Sequence, residues 1–128
     1  MTRFPIDEWE RRAAEVRDRL YPPERPSAFA ENPLRALDPE FASLVETIAR
    51  GRSYADETLD LKTRALCTAA CLVGMGEQAY IETWVANAMQ EGATREEIVE
   101  LMVQLFTYVG TPKAVTGFAA AKAVFDAR

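Results

Sequence analysis

The chain has 128 residues, 48% of them hydrophobic, enough for one domain that buries roughly two-thirds of its unfolded surface without disulfides or metal. Its formal net charge of −5 argues against nucleic acid and anionic membrane surfaces as partners, since both are held by clustered Lys and Arg. No histidine is present, so proton transfer falls to Glu, Asp, Tyr, Cys or Lys, and no ligand pattern supports a zinc site.

The N-terminus, MTRFPIDEWERR, has no apolar signal core, and the apolar stretches are too short to span a bilayer; the expectation is a soluble cytoplasmic protein. Ile6, Trp9, Ala13, Val16 and Leu20 recur at steps of three and four, which predicts an amphipathic first helix. YPPERP (21–26) ends it, and the chain to about Leu37 reads as an extended connection. Asp38-Pro39 starts the next helix as cap and first helical residue. Phe41, Leu44, Val45 and Ile48 are expected to face inward, with Gly51 as the stop and RSYADET as a polar loop.

From Asp60 a helix containing ALCTAACLV is apolar nearly all round, and is expected to be central and buried. Gly74 and Gly76 end it. Residues 77–91 form a further helix, with Tyr80, Ile81, Trp84, Val85, Ala88 and Met89 on one face and Gly92 beyond it. In GATREEIVE, Thr94 and Glu97 make a capping box. Ile98, Leu101, Met102, Leu105, Tyr108 and Val109 continue the stripe to Gly110. Thr111-Pro112 opens the last helix, with Val115, Phe118 and Phe125 inward. No strand pattern competes, so the fold class is all-α, a single-domain helical bundle of about six helices.

Cys67 and Cys71 stand four apart on the central helix, where Cβ atoms lie about 5–6 Å apart; a disulfide wants roughly 3.5–4.5 Å. They read as core cysteines. EQAYIETW (77–84) sets an acid, a phenol, a second acid, a hydroxyl and an indole in eight residues. Glu77 is either a general acid raised by partial burial or a first-turn acid favoured by the helix dipole. Trp84 is either core or a stacking platform for a planar substrate. Arg64 is either a bidentate carboxylate clamp or one side of a salt bridge. Tyr108 is divided between core and pocket hydroxyl.

LDPEF (37–41), LDLKTR (59–64), GATREEIVE (92–100) and YVGTPKA (108–114), in that order and spacing, resemble the carboxymuconolactone decarboxylase family. The match covers roughly residues 34–128, leaving an N-terminal helix and Pro-rich connection at 1–33. The resemblance implies an alkylhydroperoxidase D-like helical fold and a homo-oligomer, commonly a homotrimer or homohexamer. The family usually places Glu after the Lys-Thr-Arg run, where this chain has Ala65. The decarboxylase branch usually has a histidine at the position that, counted back from Gly92, is Trp84. The peroxidase branch has a Cys-x-x-Cys pair where this chain has Glu77 and Tyr80.

The implied activity is a lyase or decarboxylase without metal or cofactor, acting on a small carboxylated cyclic or conjugated molecule. Glu77 and Tyr80 would be catalytic, and Arg64, Trp84 and Tyr108 substrate-binding. The other readings are a non-catalytic helical oligomer that binds a small ligand or protein, and a thiol peroxidase, which the missing Cys-x-x-Cys disfavours.

Overall fold

A computed structural model describes residues 5–27 and 32–128. Among them are α-helices and one π-helical segment, with no strand, as the all-α expectation requires. The chain divides into two compact units, Met1–Leu59 and Asp60–Arg128. This division falls elsewhere than the boundary at residues 33 and 34, which marks where the family resemblance starts.

In the first unit, α1 (Ile6–Leu20) buries Ala13, Val16 and Leu20. The connection expected to be extended contains a short helix, α2 (Pro33–Leu37), because the Asn32 side chain accepts from the Leu34 N–H at 2.7 Å and Pro33 sits at the first helical position. Part of that connection, residues 28–31, lies outside the described residues. Asp38 caps α3 (Pro39–Glu46), accepting from the Phe41 N–H at 3.0 Å.

Gly51 does not stop this helix. The chain runs on as a π-helix from Thr47 to Tyr54, and its wider turn ends with the Ala55 N–H donating to the Arg50 carbonyl at 2.9 Å. Gly51 is needed for space: a Cβ there would fall on the carbonyl oxygen of Trp9 and lie 2.6 Å from its carbonyl carbon. The residue read as punctuation is a point of close backbone approach. The inward stripe is also displaced. Phe41, Leu44 and Ile48 are about half exposed, while Ala42 is fully buried.

The second unit holds α4 (Leu61–Met75), α5 (Gln78–Gln90), α6 (Arg95–Val109) and α7 (Thr111–Asp126). Asp60 caps α4, accepting from the Thr63 N–H at 2.7 Å. Gly76, with φ +78, closes it in the left-handed region that favours glycine. The capping box at Thr94 and Glu97 is formed as expected. The core gathers Ala65, Ala69 and Val73 of α4, Ile81, Val85 and Ala88 of α5, Ile98 and Met102 of α6, and Ala120 and Ala121 of α7.

Two expectations for this unit fail, for one reason. Helix α4 is not buried all round: Cys67 and Cys71 are exposed and Met75 is 62% exposed. On α7, Val115 and Phe118 point outward, and the buried face is Ala114, Gly117, Ala120 and Ala121. Small residues let helices approach closely, so they take the seam and larger apolar residues are left outside. A Cβ on Gly117 would lie 2.7 Å from Met102 Sδ and 3.1 Å from Val73 Cγ2, which shows how tight the seam is.

Candidate functional site

The second unit carries all five candidate residues. Two contacts fix its ends. Lys62, at the start of α4, donates to Glu97 at the start of α6, at 2.9 and 2.8 Å. A Cβ on Gly74, near the end of α4, would lie 3.8 Å from Val109 Cγ1 at the end of α6. Helices α4 and α6 therefore run the same way, and after the short turn at Gly76 and Glu77 the chain returns as α5, which packs on α4 and α7.

This topology separates the five residues. Glu77 is the N-cap position of α5 and Tyr80 lies in its first turn; Tyr108 is the second-last residue of α6. These three share the end of the unit where α4 and α6 finish. Arg64 is in the first turn of α4, eleven positions before Met75, so about 16 Å of helix separates it from that end. Trp84 lies between, part-buried against the core. The structure thus brings Glu77, Tyr80 and Tyr108 to one end, keeps Trp84 on the flank, and leaves Arg64 at the opposite end.

The three residues at the shared end are open to solvent. Tyr80 is 54% exposed and Tyr108 83% exposed. Glu77 is exposed and its side chain makes no capping bond. The expected inward Tyr108 and half-buried Glu77 are not seen within one chain. Trp84 matches its core reading to the extent that it packs on the cluster of Val85, Ala88 and their neighbours.

Clefts lie elsewhere. One, of about 370 Å³, is lined by Leu66, Glu97, Glu100, Leu101, Val103 and Gln104. Another, of about 360 Å³ in the first unit, is lined by residues including Arg17, Asp18, Tyr21 and Pro22. Neither is lined by a candidate residue. Sequence reasoning missed the first because Glu97 reads as a capping residue. The second depends on how the YPPERP turn lies beside α1, which residue spacing does not reveal.

The carboxyls whose titration is shifted lie at the opposite end of the unit, where α4 and α6 start. The Lys62 ammonium holds the Glu97 carboxyl below its ordinary value of 4.5, with help from the Thr94 N–H. The Thr63 hydroxyl and N–H hold Asp60 below 3.8. Both are helix-start interactions and serve α4 and α6 rather than a substrate. Among the described residues, no cluster of three or more His, Cys, Asp or Glu side chains is placed for a metal, and no helix is long and apolar enough to cross a membrane.

The second unit is all-helical and carries an acid and two phenols at the end where α4 and α6 finish. Residues 39–123 match the Carboxymuconolactone decarboxylase family. That span is more than half of the chain, and the chain belongs to this family. It is also similar to a protein of Acinetobacter baylyi named 4-carboxymuconolactone decarboxylase, 25% identical over 111 residues, or 87% of this chain and 82% of that protein.

Proposed function

We propose that the protein is a cofactor-independent, decarboxylase-like lyase acting on a small carboxylated cyclic or conjugated molecule, within a homotrimer or homohexamer in the cytoplasm. The observation that carries this reading is family membership joined to the reactive set on one end of the second unit, Glu77, Tyr80 and Tyr108. The similarity to a 4-carboxymuconolactone decarboxylase makes a carboxylated lactone the first compound to test.

Loss of carbon dioxide breaks a C–C bond and leaves its electron pair on the substrate. A conjugated carbonyl accepts that pair as an enolate, and a proton then returns to carbon. Glu77 is the proton donor in this scheme and Tyr80 donates a hydrogen bond to the enolate oxygen. Trp84 presents an aromatic surface to the conjugated system. The chemistry needs a site from which water is excluded, and one chain leaves these residues exposed. A second copy closing over this end supplies the cover.

Self-association also has a surface to use. Val99, Val103 and Phe106, at steps of three and four on α6, and Val115 and Phe118 on α7 are large apolar residues left exposed, and exposed apolar surface of this kind suits association. Since Arg64 and Glu77 lie at opposite ends of one unit, a site that uses both takes Arg64 from one copy and Glu77 from another.

The test follows from that division. Carboxylated lactones and conjugated acids are incubated with the protein while substrate absorbance and released carbon dioxide are followed. Glu77→Gln should lower kcat by roughly 10²–10⁴, the worth of a general acid, and leave ligand binding nearly intact. Arg64→Ala should mainly weaken binding. Mixing the two variants should restore part of the activity; no recovery would remove the shared site. A kcat for Glu77→Gln within about threefold of wild type would remove Glu77 from proton transfer.

A second reading has its own support. The solvent exposure of Glu77, Tyr80 and Tyr108 also suits a non-catalytic helical oligomer that binds a small ligand or a protein. Saturable binding of the same acids without turnover would establish it.

A further inference from the structure

We propose that Cys67 and Cys71, on the outer face of α4, form a two-thiolate site for a soft monovalent cation with a filled d shell, Cu(I) or Ag(I). The proposal starts from their exposure. Ala65 and Ala69 are fully buried, and each cysteine follows one of them by two residues, about 200° around the helix. The thiols therefore share the face turned away from the core, and both are free and exposed.

Their spacing selects the ligand. Cβ atoms four apart on a helix are about 5–6 Å from each other, too far for a disulfide, which needs roughly 3.5–4.5 Å. Two sulfurs on opposite sides of one ion, with metal–sulfur bonds of about 2.3 Å, stand about 4.6 Å apart. Two Cβ atoms at helical spacing can direct their sulfurs to that separation without unwinding the helix. The geometry that rejects a disulfide accepts an ion between the thiols.

The donor set selects the ion. Thiolates favour Cu(I) and its soft analogues, which are satisfied by two sulfur ligands, whereas Zn(II) in a closed site takes four ligands. The positions flanking the pair on α4 are Arg64, Thr68, Ala70 and Gly74. None carries a carboxylate or imidazole to complete a tetrahedral shell. Met75 continues the sulfur row one turn beyond Cys71 and is 62% exposed. The rise from Cys67 to Met75 is about 12 Å, so Met75 does not share the ion held between the cysteines. On binding, both S–H groups release their protons to water, two metal–sulfur bonds form, and no oxidation state changes.

The experiment uses the full chain, reduced and without oxygen, titrated against Cu(I) supplied as its bathocuproine disulfonate complex. The expected result is withdrawal of one Cu(I) per chain, read as loss of the chelator's colour, with a near-ultraviolet thiolate-to-metal band. Cys67→Ser and Cys71→Ser should each weaken binding by about 100-fold or more, and Met75→Leu should stay within about threefold of wild type. On the wild-type protein, one equivalent of Ag(I) should protect both thiols from alkylation. That measurement needs no variant to fold. Retained affinity in either serine variant, one ion per two chains, a Met75→Leu loss as large as a cysteine's, or native thiols inert to alkylation before any metal is added would each overturn the site.

Discussion

The two compact units are held together in different ways. In the second, the fully buried large side chains are Val73, Ile81, Val85, Ile98, Met102 and one polar residue, Asn87. In the first, the buried apolar set is Ala13, Val16, Leu20 and Ala42, and charged side chains are buried with it. There Arg50 is 4.0 Å from Glu46 and stacks on the Tyr21 ring at 5.5 Å, while Arg17 reaches Glu46 at 3.6 Å. The comparison teaches that the second unit is packed almost wholly through apolar side chains, whereas the first sets charged side chains with directional contacts beside a smaller apolar set around a π-helix. Directional contacts fail abruptly when one partner is lost.

The largest effect should come from Gly51→Ala. Its Cβ would collide with the Trp9 backbone, which cannot rotate away, so the cost should be about 3 kcal/mol or more, at or beyond the upper end of ordinary overpacking. Chemical denaturation followed by far-ultraviolet circular dichroism measures it. If the difference between the units is real, the loss should appear as a transition for the first unit separated from that of the second. A small, uniform shift would break the comparison.

Arg50→Met should rank next. It removes a buried guanidinium while keeping an apolar side chain of comparable length, and leaves Glu46, whose side chain is only 12% exposed, with Arg17 at 3.6 Å. A cost of about 2 kcal/mol is expected, less than the 3–5 kcal/mol of a fully orphaned buried charge. The added variant Glu46→Gln should recover part of it in the same denaturation experiment.

Gly117→Ala probes the other unit in the same way and should cost less, about 1–2 kcal/mol. The first atom its Cβ meets is the flexible Met102 Sδ at 2.7 Å, not a backbone atom. Combining it with Met102→Leu should change the cost through the shared contact, a coupling readable by a double-mutant cycle.

The smallest effect is electrostatic. The carboxyls of Asp60 and Glu97 titrate below their ordinary values in the folded chain. The stability they contribute is therefore complete above the ordinary carboxylate range and is lost as pH falls through their lowered folded values. Thermal melts from neutral pH down to about pH 2 should show this acid loss in the wild type. It should be shallower in Glu97→Gln, and the difference should shrink in about 0.5 M salt because both groups are exposed.

Residue order alone determined the helices that depend on local chemistry. The Asp38 and Asp60 caps, the Thr94–Glu97 box, the glycine end at Gly76 and the family's motifs all act within a turn or two of backbone, so type and spacing suffice to read them. Tertiary structure decided which apolar residues became core. Ala65, Ala69, Ala114 and Gly117 took the seams because close helix approach favours small side chains, which put Cys67, Cys71, Val115 and Phe118 outside. It also decided that Gly51 is a contact and not a stop, and that Arg64 and Glu77 stand at opposite ends of one unit. Those outcomes depend on atoms far apart in sequence meeting at contact distance, and hydrophobic periodicity carries no information about that distance.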